Sequence, residues 1–146
     1  MHAAEMAEEY PVVDLDSDAL TAVRLLAQQR LPGLVVTDAT GCPQSVLPAS
    51  QVVQFLVPRY VVDDPSLAGV LNESMADRVA DKLGGRTVRE LLPAEPTELP
   101  RANADDTVVE VAAMMARLRC PLVAVMDGRK LLGVVSASRL LELALR

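Results

Sequence analysis

Leu131-Leu132-Gly133-Val134-Val135-Ser136-Ala137-Ser138-Arg139-Leu140-Leu141-Glu142-Leu143 is the stretch whose reading decides the fold. It reads as a short buried strand that stops at a hydroxyl residue and passes directly into a helix. The strand is an apolar run only a few residues long, set after Asp127-Gly128. That dipeptide is a strong hairpin signal, because its turn needs positive φ. The helix takes Ser136 or Ser138 as its N-cap and carries leucines at helical spacing. The unpaired N–H groups of a helix's first turn, together with its dipole, favour an anion or a polar ligand at such a junction.

The same unit occurs in weaker form near the front. Ser45-Val46-Leu47-Pro48-Ala49-Ser50-Gln51-Val52-Val53 lies parallel to Gly133-Val134-Val135-Ser136-Ala137-Ser138-Arg139-Leu140-Leu141. Upstream, Leu31-Pro32-Gly33-Leu34-Val35-Val36-Thr37-Asp38 lies parallel to Cys120-Pro121-Leu122-Val123-Ala124-Val125-Met126-Asp127. Each copy follows an amphipathic helix entered from an Asp-rich cap, one around Ala19 to Arg30 and one around Thr107 to Arg119. The chain therefore holds two copies of helix–strand–strand–helix, for which a pseudo-twofold pair is the simplest arrangement.

The 146 residues suit one compact domain or two small halves with a shared core. A chain of this size buries about two thirds of its unfolded surface and needs no disulfide or metal. Hydrophobic residues make up 51% of it, yet no run approaches the ~18 apolar residues of a membrane span. Glu5, Glu8 and Glu9 near the front exclude the basic region of a signal peptide. Cys42 and Cys120, each beside a proline, read as free thiols in a reducing cytoplasm. The single histidine is His2, which removes most His-based catalysis and most zinc sites. A net charge of −6 with 2% aromatic residues argues against nucleic acid, which demands basic patches and stacking surfaces.

Residues 1–10 are expected to be a mobile or loosely docked lead-in. Alternating aspartates at Asp14, Asp16 and Asp18 suggest calcium, but such a loop wants glycine at Ala19 and glutamate at Leu25, so helix capping is the better account. The first amphipathic helix is expected to bury Leu20, Val23, Leu26 and Ala27, and the second Val108, Val111, Ala112, Met115 and Leu118. Pro48 is expected in the first turn of its helix, which stops before Pro58. Asp64-Pro65 is expected to open the longest helix, with a stripe of Leu67, Val70, Leu71, Met75, Val79 and Leu83 ending at Gly84-Gly85. The closing helix, with Leu140, Leu141, Leu143 and Leu145, is apolar on more than one face and predicts a homodimer, in which Val52 to Val57 join.

The chain resembles a tandem pair of cystathionine-β-synthase-type (CBS) domains standing alone. The residues that carry the resemblance are Thr87-Val88-Arg89-Glu90-Leu91-Leu92-Pro93, Cys120-Pro121-Leu122-Val123 and Gly133-Val134-Val135-Ser136, in that order and on the duplicated frame. It spans residues 10–146. It implies an α/β (α+β) fold of two pseudo-twofold-related repeats, each β-α-β-β-α, packed through their sheets. The implied division is a lead-in 1–10, a first repeat 11–62, a linker helix 63–86 and a second repeat 87–146. It further implies two clefts between the repeats that take AMP, ADP, ATP or S-adenosylmethionine. Pairs of this kind commonly dimerise.

The family's ligand motif runs glycine, two apolar residues, Ser or Thr, two more residues, then Asp as a bidentate acceptor for the ribose hydroxyls. The second repeat keeps Gly133 and Ser136 but has Arg139 at the Asp position. Arginine only donates, so it cannot replace that acceptor, although its planar fork can grip a phosphate or carboxylate. The first repeat has Ser45, Pro48 and Gln51 at the three positions. A ribose diol without the carboxylate loses about 1.5–3 kcal/mol, or one to two decades of affinity. By this resemblance the ligand-lining positions of the first repeat are Val12, Val13, Pro32, Gly33, Leu47 and Gln51. Those of the second are Leu99, Arg101, Pro121, Leu122, Val134, Val135, Ser136, Ala137, Ser138 and Arg139. For Ser136 a plain N-cap competes with ligand contact, and for Arg139 an exposed helix charge competes with an anion grip.

The expected function is a non-enzymatic regulatory module that senses an adenosine-type or related anionic metabolite and signals to a separate protein. It carries no cofactor or metal, and it binds no nucleic acid and enters no membrane. The alternative is a ligand-free dimerisation module with closed clefts, motivated by the missing carboxylates and Pro48. An enzyme ranks third. The chain shows no nucleophile with an evident base and no phosphate-cradling glycine loop, and Asp63-Asp64 and Asp105-Asp106 are explained as helix caps.

Overall fold

The computed structural model describes residues 1–70 and 74–146. In chain order the elements are α1 (Ala3–Met6), β1 (Val12–Asp14), α2 (Ala19–Gln28), β2 (Gly33–Thr37), β3 (Pro43–Pro48), α3 (Ala49–Leu56) and α4 (Arg59–Asp63). A 3-10 helix, Pro65–Val70, follows, then α5 (Met75–Leu83), α6 (Val88–Leu91), β4 (Thr97–Glu98) and β5 (Arg101–Asn103). The chain ends on α7 (Val108–Leu118), β6 (Leu122–Asp127), β7 (Lys130–Ser136) and α8 (Ala137–Ala144). The fold is mixed α/β with two sheets, one of four strands in the order β1-β2-β3-β4 and one of three in the order β5-β6-β7. Among the described residues no helix is long and apolar enough to cross a membrane.

The duplication is visible in local detail. Asp18 and Thr107 cap α2 and α7, accepting from the N–H groups of Thr21 and Glu110. Both helices run into an arginine with left-handed backbone, Arg30 at φ 52° and Arg119 at φ 50°. A proline then leads each chain copy into a strand buried along nearly its whole length, β2 or β6. The Asp127-Gly128 hairpin forms as expected: Asp127 pairs with Lys130, and Gly128 takes φ 63°.

The chain clusters into two compact units. One comprises residues 1–12, 35–46 and 97–146, the other 13–34 and 47–96. In the first unit β6 pairs parallel with β5 and antiparallel with β7, with a bulge between Val125 and Met126. Side chains of β6 and β7 alternate between two cores, as the strand period requires. Val123, Val125 and Val135 join Ala102, Val111 and Leu140, while Leu122, Ala124 and Val134 join Val35, Val46 and Leu99. In the second unit the entry to α2 is tied to residues 86–89: Ala19 donates to Arg86, Val88 to Ser17 and Arg89 to Leu15. Arg78 Nε donates to the Leu56 carbonyl at 2.8 Å there, and the Arg86 guanidinium lies 5.6 Å from the Phe55 ring centre.

Several expectations are corrected. Residues 1–10 are docked, not loose: Ala3 and Met6 are 0% exposed in the core with Val111, Val123 and Val135. Backbone N–H groups of Ala3 and Ala4 donate to the carbonyls of Asp106 and Ala104. The single long helix after Pro65 is replaced by the 3-10 helix and α5. Ser74 caps α5 through its hydroxyl, which accepts from Asp77 N–H and fixes a fresh helix start; Leu71 lies outside the described residues. Pro48 is the N-cap of α3, one place before its first turn, because its extended ψ of 145° continues β3. Ala27 is exposed and Leu118 is 53% exposed, so the inward faces of α2 and α7 are narrower than the apolar spacing implied.

Candidate ligand site

The junction of β7 and α8 is built by three constraints, two of backbone and one of side chain. Leu122 pairs with Ser136, and the pairing continues into the helix, where Ala137 N–H donates to the Pro121 carbonyl at 2.8 Å. Ser136 caps α8: its hydroxyl accepts from the Arg139 N–H at 3.1 Å. The third constraint comes from the front of the chain. Glu8 and Val134 exchange both N–H···O bonds, at 3.0 and 2.9 Å, as an isolated antiparallel bridge. Gly133 makes this approach feasible, since a Cβ there would lie 2.7 Å from the Glu8 carbonyl oxygen.

The expected rear residues divide by burial. Leu99, Leu122, Val134 and Val135 are core residues with essentially no exposed side chain. Pro121 and Ser138 are exposed, and Ser136, Ala137 and Arg139 are half-buried. The Arg139 side chain is 26% exposed. Its Nη1 donates to Glu142 Oε1 at 3.2 Å and its Nε lies 3.6 Å from Glu8 Oε1. Arg101 is exposed, and its guanidinium donates to the Pro43 carbonyl. With Glu98, Leu99, Pro100, Met114 and Leu118 it lines a groove of about 530 Å³.

The front junction repeats the frame with different side chains. Ala49 N–H donates to the Pro32 carbonyl at 3.0 Å, the counterpart of the Ala137–Pro121 bond. Pro48 offers no side-chain cap, so the start of α3 lacks the hydroxyl that Ser136 supplies to α8. Gly33 and Leu47 are buried, Val13 and Gln51 half-buried, Val12 and Pro32 exposed. Gln51 opens on a hollow of about 310 Å³ lined also by Gln54, Phe55, Arg59 and Asp63. Val13, Pro32, Gly33, Leu47 and Gln51 belong to one compact unit; Val12 and all the rear residues belong to the other.

Sequence reading missed Glu8 and Glu142 as partners of Arg139, and Arg59 and Asp63 beside Gln51. An i,i+3 charge pair signals Glu142; nothing in the sequence signals Glu8. Other polar features are structural. The Asp38 carboxyl is held below the usual range by the Thr40 hydroxyl first and then the Cys42 N–H, against the opposing effect of burial. Burial pushes the Cys120 thiol up. Among the described residues no group of three His, Cys, Asp or Glu side chains is placed to hold a metal ion.

Because the Ser136 hydroxyl satisfies a helix N–H, Ser136→Ala is expected to destabilise the protein by about 1 kcal/mol. Thermal melting checks this, with an expected fall of about 2–4 °C.

A family model described as CBS domain matches residues 88–146. Among solved structures, a CBS domain-containing protein of unknown function from Kribbella flavida is 66% identical with TM-score 0.93, covering 100% of this chain and 99% of that one. CBSX2 in complex with AMP is 16% identical with TM-score 0.68, covering 99% and 96%. The CBS domain of a CBS domain-containing membrane protein from Sphaerobacter thermophilus is 15% identical with TM-score 0.72, covering 98% and 87%. No curated protein matches the chain.

Proposed function

This chain belongs to the CBS domain family, and from that premise we propose that it is a non-enzymatic regulatory module for an adenosine-type nucleotide or a related anionic metabolite. The observation that carries the reading is the repeated strand-to-helix junction. At both copies the first helical N–H is tied to a proline carbonyl, while the next, of Ser50 or Ser138, has no intrahelical acceptor and forms part of the positive pole of the helix. The AMP complex of CBSX2 supports an adenine nucleotide as the ligand class. Of the ligand-lining positions expected by resemblance, Gln51 is the accessible polar side chain of the front junction, and Arg101, Ser138 and Arg139 are those of the rear junction; Gly33, Leu47, Leu99, Leu122, Val134 and Val135 are held in the core. The signal passes to a separate protein in the cytoplasm.

A thermal-shift panel with AMP, ADP, ATP and S-adenosylmethionine tests this. At ~100 times Kd the ligand adds about 2.7 kcal/mol, a rise of several degrees. No shift with any of them at millimolar concentration rejects the adenosine version.

A second reading, a ligand-free dimerisation module, is favoured by two observations: the Ser136 hydroxyl already accepts the capping bond of α8, and Leu141 on α8 and Leu145 just past its end are 57% and 85% exposed. Homodimerisation is common to both readings. A monomeric mass by light scattering at micromolar concentration counts against it.

A further inference from the structure

Arg139 is a cation in the first turn of α8, where the helix dipole favours an anion. Two carboxylates answer it, Glu142 at 3.2 Å from Nη1 and Glu8 at 3.6 Å from Nε. The second answer is incomplete. The Nε atom is buried and has no hydrogen-bond partner among the described residues, so Glu8 neutralises the guanidinium without satisfying that donor. A buried donor left unpaired is costly, which makes the site receptive to a better acceptor. The backbone of Glu8 is fixed by its bridge to Val134 and by α1 behind it, with Ala3 and Met6 in the core. Its side chain is 57% exposed. The carboxylate is therefore free to swing into water while the backbone stays in place.

We propose that Glu8 is a placeholder: its carboxylate occupies the Arg139 guanidinium until the phosphate group of a ligand replaces it and accepts the Nε–H. A phosphate offers the charge-assisted, side-on pairing that a guanidinium fork is shaped for. Glu142 is shared with Arg146, whose guanidinium donates to it at 2.9 Å, so Glu142 keeps a cation when Arg139 turns to the phosphate. The proposal rests on the sensor reading for its adenosine arm and deepens it: Arg139 recognises the phosphate and Glu8 sets the affinity.

Isothermal titration in phosphate-free buffer tests it, with inorganic phosphate, AMP and adenosine against wild type, Glu8→Gln, Arg139→Gln and Arg139→Lys. Glu8→Gln is expected to bind phosphate and AMP about three- to five-fold tighter than wild type, the scale of a partly exposed ion pair. Arg139→Gln is expected to bind AMP at least about ten-fold more weakly and no better than adenosine, with Arg139→Lys in between. If Glu8→Gln binds both probes no tighter than wild type, the placeholder is wrong; wild-type AMP binding then leaves the sensor reading standing. If AMP fails with every protein while phosphate tightens in Glu8→Gln, the sensor reading falls and the placeholder stands. Silence of all probes overturns both.

Discussion

Met6→Ala is expected to destabilise the protein by about 2–4 kcal/mol and lower its melting temperature by about 5–15 °C. Met6 is 0% exposed and packs with Ala3, Val111, Val123, Val125 and Val135. Truncation removes three heavy atoms from a closed core and leaves a cavity that the rigid valines of β6 and β7 fill poorly. The four-residue α1 is too short to hold itself. Met6 therefore anchors the segment that positions Glu8, and urea denaturation should show the loss in the midpoint with the slope unchanged. A variant melting within ~2 °C of wild type would mean that α1 does not belong to the core.

The second large effect is at Gly133. A Cβ there would sit 2.7 Å from the Glu8 carbonyl oxygen and 3.1 Å from Ala7 Cβ. The first obstacle is backbone, which cannot rotate out of the way as a side chain can. Gly133→Val must break the Glu8–Val134 bridge or displace β7, which is buried at Val134 and Val135. Overpacking of about 1–3 kcal/mol adds to two lost hydrogen bonds at about 1 kcal/mol each, so about 3–5 kcal/mol is expected. Differential scanning calorimetry measures it. Amide hydrogen exchange should show faster exchange at Glu8 and Val134.

What was legible in the sequence is what depends on neighbours along the chain. Asp127-Gly128 fixed the last hairpin because its turn chemistry is local. Ser136 and Asp18 marked helix starts because a cap bonds three residues on; at α7 the cap was expected at Asp105-Asp106 and is instead Thr107, whose hydroxyl accepts from the Glu110 N–H. Duplication extended those signals to the front copy, where Pro48 replaces the hydroxyl. Illegible were contacts set by distant residues. Ala3 and Met6 lie in an acidic stretch with no usable periodicity, and their partners lie about a hundred residues on. Between Leu67 and Leu83 the apolar stripe continued through Ser74, hiding that this serine starts a new helix. At the candidate site, spacing named Arg139, but only folding brings Glu8 beside it.

The Glu8–Val134 bridge also constrains how this protein is made. Residues 3–8 leave the ribosome long before β7, yet their hydrogen-bond and core partners are Asp106, Val111, Val123 and Val134. During translation this apolar peg has no native seat until the last hairpin emerges. Closing so long a loop slows the final step and leaves Met6 open to chaperones in the interval.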